Sequence, residues 1–306
     1  MMRFFINRFL RMVVTIWFIM TLVFVFTRMS GDPVQWLLPD DATESTRAEL
    51  RESLGLNKPL IEQYFLSFES FFKKDMGKSY YYLRPVGDLF VERAQATLSL
   101  GISALFLAIV VGIPLGIMAA VHRNSFLDRF TMSLAIAGHT IPNFVLGILM
   151  IFLFSLGLRL LPSGGFGSLK NYIMPTLTLA AGPMASIARL TRSSMLDVLH
   201  QDFLDCARAK GVKERTVILK HALRNALIPV ITIIGMQMGT IIGGSVVVET
   251  VFAWPGIGLL TVTAAKTRDF PVIQYGVMLI AIAVSITNLL VDMSYALLDP
   301  RIRENI

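Results

Sequence analysis

Charged residues are scarce in this chain. Asp, Glu, Lys and Arg together make up 16% of its 306 residues, whereas soluble globular domains carry roughly 25%. A surface that faces water on every side needs more charge than this, so a soluble two-domain enzyme is disfavoured. Apolar residues account for 54% of the chain, which excludes an intrinsically disordered protein. The composition therefore indicates a membrane protein.

Cysteine is nearly absent as well. The one cysteine, Cys206, has no partner within the chain, which excludes a small secreted domain held together by disulfides. The histidines do not have the spacing of metal ligands; they are His122, His139, His200 and His221. We therefore predict no metal site in this chain.

Six stretches lack Asp, Glu, Lys and Arg and approach or exceed the roughly 20 residues that a helix needs to cross a bilayer. They are residues 12–27, 94–121, 130–158, 171–188, 225–248 and 270–291. The sequence therefore predicts an all-α membrane protein with six transmembrane helices. None of these spans carries a carboxylate or lysine in its middle, which disfavours a secondary transporter driven by protons or sodium ions, because such a group usually carries the ion.

The positive charges predict the orientation. Lys and Arg exceed Asp and Glu by 28 to 21, and they cluster before the first span, between spans two and three, between spans four and five, and in the C-terminal tail. The positive-inside rule then places both termini in the cytoplasm. The excess is thus an orientation signal, and we predict no nucleic-acid partner. The chain divides into an N-terminal transmembrane helix (1–28), an outer subdomain (29–93) and a five-helix core (94–306).

The outer subdomain carries the signals of a folded loop. Asp41 and Thr46 each stand three residues before a glutamate, the pattern of a capping box, and Gly55 suits the end of the helix that would follow. Pro59 suits the start of a second helix. Its aromatic side chains would lie against the membrane surface or the outer ends of the spans; they are Tyr64, Phe65, Phe68, Phe71 and Phe72.

The cytoplasmic segment 193–224, between spans four and five, predicts a short helix, a turn and a second helix. Gly211 allows the backbone to reverse direction with φ > 0. The small residues Cys206, Ala207 and Ala209 precede the turn, and cations surround it. Small side chains let another protein approach closely, so this segment is a candidate docking site.

Here the sequence resembles a known family. The run Asp205-Cys206-Ala207, three further residues and Gly211 is similar to the EAA motif of permease subunits in ATP-binding-cassette (ABC) importers, with Asp and Cys in place of the usual Glu and Ala. Arg224 departs from the common ending of the motif, which has Pro there. The actual ending and several other runs resemble the dipeptide, oligopeptide and nickel branch. These runs are His221-Ala-Leu-Arg224-Asn225, Gly31-Asp32-Pro33, Gly243-Gly244-Ser245, Trp254-Pro255-Gly256 and Leu298-Asp299-Pro300-Arg301.

The resemblance implies a translocation subunit of the bacterial inner membrane that is not an enzyme. In that family the Gly-centred turn is a coupling helix, which docks into a separate ATPase subunit. The residues that would form it are Asp205, Cys206, Ala207, Arg208, Ala209, Lys210 and Gly211. The implied partners are two ATPase subunits, a second homologous permease and an external, periplasmic binding protein. ATP and Mg²⁺ would be bound by the ATPase subunits, so we predict no cofactor in this chain.

The implied cargo is a dipeptide or oligopeptide, with nickel or glutathione as alternatives. Few polar side chains lie inside the spans, and because burying them unpaired is costly they are expected to face the bundle interior. There they either join helices or line the translocation path. These candidates are His139, Asn143, Gln237 and Asn288.

In the outer loop after span five, Trp254, Pro255 and Gly256 are candidates for contact with the binding protein or for the outer gate. A rival function is an intramembrane hydrolase with His139 as base and Ser245 as nucleophile. Such a dyad needs the two side chains within hydrogen-bond reach, and packing or path-lining roles are favoured for both.

Overall fold

The computed structural model describes residues 2–39, 41–72 and 77–298. Within these ranges the secondary structure is helical and contains no β-strand. In chain order the α-helices are α1 (Met2–Met29), α2 (Val34–Leu37), α3 (Glu44–Ser53), α4 (Leu60–Phe72), α5 (Val86–Val121), α6 (Phe126–Thr140), α7 (Asn143–Met150), α8 (Leu169–Leu199), α9 (Asp202–Ala209), α10 (Glu214–Thr216), α11 (Leu223–Val251), α12 (Ile257–Thr267) and α13 (Phe270–Leu298). Two π-helical segments, Ile151–Gly157 and Val217–Ala222, continue α7 and join α10 to α11.

Four helical segments are long and apolar enough to cross a membrane, and a fifth crossing is added if the bent pair α6 and α7 counts as one span. The four are Ile6–Met29, Val86–Val121, Glu214–Val251 and Phe270–Val291. The prediction of an all-α chain with several apolar spans is therefore confirmed. The sixth span and the side of the termini stay predictions.

The predicted span 171–188 lies in α8, which is not among those four segments. α8 packs against α5, α11 and α6, and buried residues recur along it from Met174 to Val198. A helix that is surrounded by other helices does not need an apolar surface toward lipid, and polar or small side chains are tolerated at its interfaces. Its low hydropathy therefore agrees with its position inside the bundle.

The predicted span 130–158 is broken into two helices. α6 ends at Thr140, α7 begins at Asn143, and the two helices are bent by 107°. Pro142 stands between them, and the preceding residue, Ile141, is extended with ψ 121°. Proline lacks an N–H and disfavours the helical conformation of the residue before it, so the chain turns at this point.

The outer subdomain contains α2, α3 and α4. The capping residue of α3 is Thr43, whose hydroxyl accepts from the N–H of Thr46 at 3.3 Å, so the predicted capping positions Asp41 and Thr46 are wrong. A threonine placed three residues before an N–H can satisfy it directly, and Thr43 holds that place. At the other end of α3, Gly55 has φ +66°, a conformation that glycine adopts without steric cost.

Tyr64 joins α4 to α1. Its ring meets the ring of Phe24 with centroids 5.4 Å apart, and its hydroxyl shares a hydrogen bond of 2.8 Å with the hydroxyl of Thr21. Phe68 packs on Tyr64 at 4.8 Å. The side chains of Phe71 and Phe72 lie outside the described residues. This aromatic contact attaches the outer subdomain to the C-terminal half of α1.

Asp269 attaches the outer subdomain to the core. Its buried carboxylate accepts hydrogen bonds from the Ser79 hydroxyl and from the N–H groups of Tyr80 and Tyr81, the latter two at 3.1 and 3.2 Å. A buried carboxylate is costly unless several donors compensate it, and here three do. The turn that precedes α5 is therefore fixed to the start of α13.

Candidate functional site

The candidate coupling site is built on α9, which is anchored to the bundle through one side chain. Leu204 is fully buried and belongs to a cluster with Met195 of α8 and with Val217 and Ala222 of the π-helical segment before α11. Burying a leucine contributes roughly 1.5–3 kcal/mol. This apolar anchor therefore connects α9 to the ends of two long helices of the bundle.

Arg208 holds the turn after α9 together. Its guanidinium donates to both carboxylate oxygens of Glu214, at 3.0 and 3.2 Å, and to Asp205 at 2.8 Å. The hydrogen bonds from Glu214 first, and from Asp205 second, raise the pKa of Arg208. Such fork-shaped pairing fixes geometry as well as charge. Arg208 thus connects α9 to α10 across the turn.

Gly211 is the residue at which the chain reverses. Its φ is +77°, and its N–H donates to the Arg208 carbonyl at 2.9 Å. A side chain there would meet open space but would have to adopt a conformation that L-residues rarely take. The N–H of Val212 then returns to the carbonyl of Ala207 at 3.2 Å. The glycine is thus required by the backbone conformation and not by a lack of room.

The residues predicted for coupling form one continuous helix and turn, and most of them face outward. Cys206, Ala209, Lys210 and Gly211 are exposed, whereas Ala207 packs against the buried cluster. Phe203, which the sequence analysis did not select, is 40% exposed on the same helix. Successive residues of an α-helix point in directions about 100° apart. Phe203 therefore lies on a different face of α9 from the buried Leu204.

The four polar candidates for the translocation path lie on α6, α7, α11 and α13. His139 and Asn143 stand on either side of the α6–α7 bend, and the Asn143 amide nitrogen lies close to Gly244 of α11. Gln237 is buried on α11, and the side chain of Asn288 lies against Gly239. Among the described residues, none of the four candidates hydrogen-bonds to another.

The proposed hydrolase dyad gains no support from the contacts of Ser245. Its hydroxyl donates to the carbonyl of Ile242 in its own helix at 2.8 Å. This bond satisfies the hydroxyl locally, as is common for serine within a helix. The packing role favoured for Ser245 accounts for this contact.

Trp254 lies in the core. It is fully buried, its indole N–H donates to the Ala96 carbonyl at 2.8 Å, and its ring meets the edges of Phe166 and Tyr172 at 4.9 and 4.5 Å. Pro255 is half-buried beside it. The indole therefore anchors the loop, in which Ala253 is exposed and Gly256 is buried.

Glu249 is a buried carboxylate to which the sequence analysis gave no role. It accepts from the Thr97 hydroxyl at 2.7 Å and from the N–H groups of Gly258 and Leu259 at 2.7 and 3.1 Å. These N–H groups belong to the first turn of α12, where a negative charge is stabilised by the helix dipole. Glu249 therefore joins the ends of α5, α11 and α12.

A second missed feature is the ion pair between Asp128 and Arg192. Both carboxylate oxygens accept from the guanidinium, at 2.6 and 2.7 Å, and the Asp128 side chain is 4% exposed. The N–H of Asn124 also donates to this carboxylate at 2.9 Å. The pair joins α6 to the part of α8 that leads into α9.

Together these elements describe a helical chain with apolar spans and a short helix, α9, that is anchored by Leu204 and exposed on its other face. Residues 112–304 match the family described as the binding-protein-dependent transport system inner membrane component. Residues 1–101 match the N-terminal family of the same membrane components. The chain therefore belongs to this family and is a permease subunit of an ABC importer.

Full-length relatives carry a more specific name. The chain is 42% identical over 304 residues to the glutathione transport system permease protein GsiC of Escherichia coli K12, and 43% identical over 304 residues to GsiC of Pectobacterium atrosepticum. Each alignment covers 99% of both chains. The fold is similar to a chain of the inward-facing MetNI methionine ABC transporter, with a TM-score of 0.56 and 21% identity over 69% of this chain and 96% of that one.

Replacing Leu204 by Ala should release α9 from the bundle. The substitution removes a fully buried side chain, which costs about 2–5 kcal/mol where the surroundings relax only partly. A nitroxide label on Cys206, the one cysteine of the chain, reports this release. We expect faster label motion in the electron paramagnetic resonance spectrum of the Leu204→Ala variant.

The matched control is Phe203→Ala, because Phe203 precedes Leu204 but its ring is exposed. Its spectrum should equal that of the unsubstituted protein. Equal label mobility in the Leu204→Ala variant and the unsubstituted protein would contradict the anchoring role of Leu204.

Proposed function

We propose that this ABC importer permease carries peptides or peptide-like solutes across the inner membrane and is driven through α9 by a separate ATPase subunit. The observation that carries the proposal is the geometry of α9, which has one face anchored by Leu204 and the other face exposed. A segment that must transmit force needs both a rigid attachment and a free surface. Asp205, Cys206, Ala209 and Lys210 supply that free surface.

The contacts of α9 indicate how a movement of α9 would be transmitted to the bundle. Leu204 shares a buried cluster with α8 and with the helix that continues as α11, and Arg192 of α8 is paired with Asp128 of α6. A displacement of α9 would therefore act on three helices of the bundle. Nucleotide binding would bias the bundle between two packed states, since closely packed helices switch between arrangements more readily than they deform.

We further propose six membrane crossings with both termini in the cytoplasm. The enclosed α8 would supply one crossing and the bent pair α6 and α7 another, which with the four apolar segments makes six. Lys210 and Lys213 are exposed beside α9, and arginines stand in the first turns of α1. By the positive-inside rule, both groups support a cytoplasmic position for α9 and for the N-terminus. The partners would be two ATPase subunits, a second homologous permease and an external binding protein.

The cargo proposal rests on the full-length relatives. The proteins that the chain resembles at 42–43% identity are named glutathione transport permeases. Glutathione is a tripeptide, so this name agrees with a cargo of short peptides and makes glutathione the first compound to test. Nickel complexes are the rival cargo, since the branch suggested by the sequence includes nickel importers.

We also propose that the loop with Trp254, Pro255 and Gly256 belongs to the outer gate. The buried Trp254 and the buried Glu249 fix this loop to α5 and α12. A loop held at two points would move together with those helices when the bundle changes state. Pro255 is the member of the loop that is accessible to a docked binding protein.

Replacing Gly211 by Val should uncouple ATP hydrolysis from uptake. A β-branched residue is strained at φ +77°, by about 1–2 kcal/mol for the left-handed conformation, so the turn would change shape. In vesicles that contain the complete importer, we expect the Val variant to lose uptake and the stimulation of ATP hydrolysis by substrate, while basal ATP hydrolysis continues.

The matched control is Gly211→Asn, because asparagine tolerates the left-handed conformation and the site has open space for it. It should retain most of the stimulated hydrolysis and uptake. Undiminished hydrolysis and uptake in the Val variant would overturn the assignment of this turn as the coupling element.

The cargo class can be tested in the same vesicles by supplying the binding protein loaded with different solutes. We expect glutathione or short peptides to stimulate ATP hydrolysis and to accumulate inside the vesicles. If a nickel complex stimulates hydrolysis while glutathione and short peptides do not, the peptide proposal is wrong and the importer is a metal transporter.

A photo-crosslinking amino acid at Pro255 should capture the binding protein during turnover, because this position is half-exposed at the proposed outer gate. The same probe at Arg159, which is exposed but lies in the other short loop on that side, provides the comparison. A Pro255 probe that yields no adduct with the binding protein during active transport would count against the gate assignment.

A further inference from the structure

A cavity of about 750 Å³ lies between α1, the outer subdomain and α13. Its wall is formed by the C-terminal half of α1, by α3 and α4, by the turn that precedes α5, and by the first turns of α13. None of the residues proposed for coupling, path or gate lines it. The cavity therefore belongs to a different part of the molecule from the sites described above.

Among the described residues, the charged residues that line this cavity are both cations, Arg28 and Lys78. The nearby Asp32 does not line the cavity, and its carboxylate accepts from Arg51 and from the N–H of Val34. Arg28 lies over the ring of Phe24 at 5.4 Å. The described part of the wall thus presents two positive charges and no carboxylate.

Two buried polar atoms on the wall have no hydrogen-bond partner among the described residues. They are the Nε of Arg28, a donor, and the Oε1 of Gln63, an acceptor. The amide nitrogen of Gln63 donates to the carbonyls of Leu56 and Lys58 at 3.1 and 2.7 Å, which fixes which end of the amide is oxygen. Leaving such buried groups unpaired is costly.

Arg28 is half-buried. Its Nε is enclosed by the protein, while its side chain lines the cavity. In a snorkelling arginine the aliphatic stem lies along apolar surface and the charged head reaches a polar region, and an anion in the cavity would meet that head.

Apolar side chains line part of the wall, beside serines, glutamines and tyrosines. The apolar lining residues include Met20, Val23, Phe24, Leu66, Phe68 and Met278. Met20 stands eight residues before Arg28 on α1, a distance of about 12 Å along a helix. The cavity therefore has an apolar stretch of wall that extends along α1 away from Arg28.

The neighbouring surface of α1 is of the kind that faces lipid. Only 6% of its most apolar window is buried, and Phe18, Leu22 and Phe26 are exposed along the same half of the helix. Lipid therefore has direct access to the helix that forms one wall. A peptide in transit would instead follow the bundle interior, where the polar candidates of α11 and α13 lie.

We propose that this cavity binds an anionic phospholipid from the leaflet at the Arg28 end of α1. The phosphate would accept from Arg28 and Lys78, a hydroxyl of the head group would donate to Gln63, and one acyl chain would lie along the apolar wall toward Met20. The bound lipid would fill the seam between α1 and α13. The proposal does not depend on which substrate the importer carries.

The test is native mass spectrometry of the complete importer complex in detergent, titrated with phosphatidylglycerol. The unsubstituted complex should retain phosphatidylglycerol, and the Arg28→Gln complex should bind it about tenfold more weakly. Lys78→Gln changes an exposed side chain, so it should fold normally and weaken binding in the same direction. Arg84→Gln is the matched control, because Arg84 is an exposed arginine of the same subdomain that pairs with Glu92 and does not line the cavity.

Additional arms identify the source of the anion. Glycerol 3-phosphate, a head group without acyl chains, should not displace the lipid, and neither should glutathione or a dipeptide. Equal phosphatidylglycerol binding by the unsubstituted, Arg28→Gln and Lys78→Gln complexes would overturn the proposal. Displacement by glycerol 3-phosphate would show a site for free phosphates. Displacement by glutathione or a dipeptide would show a site for substrate. Either result would refute the lipid assignment.

Discussion

The close approach of α5 and α8 is the constraint on which the rest of the bundle depends. A side chain at Gly116 would stand 2.5 Å from both the Ala188 carbonyl oxygen and the Cβ of Thr191, so the two helices are in contact at their backbones. In lipid, helix association relies on such small-residue packing because apolar burial between helices offers little driving force. α11 and α6 then pack on α8, and their positions follow from that of this pair.

α9 is held in place by this arrangement. α8 continues past the close contact with α5 to Leu199, and α9 begins three residues later. The buried cluster around Leu204 includes Ala120 from the end of α5, Met195 of α8 and Ala226 from α11, so three helices converge beneath α9. A force on the exposed face of α9 would therefore be received by a buried cluster that these three helices share.

The sequence was informative where local rules decide the structure. The apolar stretches predict helices, and Gly211 predicts a turn that has the expected positive φ. The long-range contacts were not predictable, because Asp128 and Arg192 are 64 residues apart and Thr97 and Glu249 are 152 apart. Neither pair leaves a spacing pattern. The enclosure of α8 and the burial of Trp254 depend likewise on which helices surround them, and a single sequence does not contain that information.

Buried polar contacts hold particular helices of the bundle together. Glu249 joins the ends of α5, α11 and α12, and the pair of Asp128 and Arg192 joins α6 to α8. A carboxylate held by several donors is costly to release, so these helices are expected to move together. α1 packs on α13, which also packs on α11 and α12, and α1 carries the outer subdomain on its aromatic contact with Tyr64. The cationic cavity lies between α1, the outer subdomain and α13, so a lipid bound there would act on these contacts and not on α9 or on the loop of Trp254.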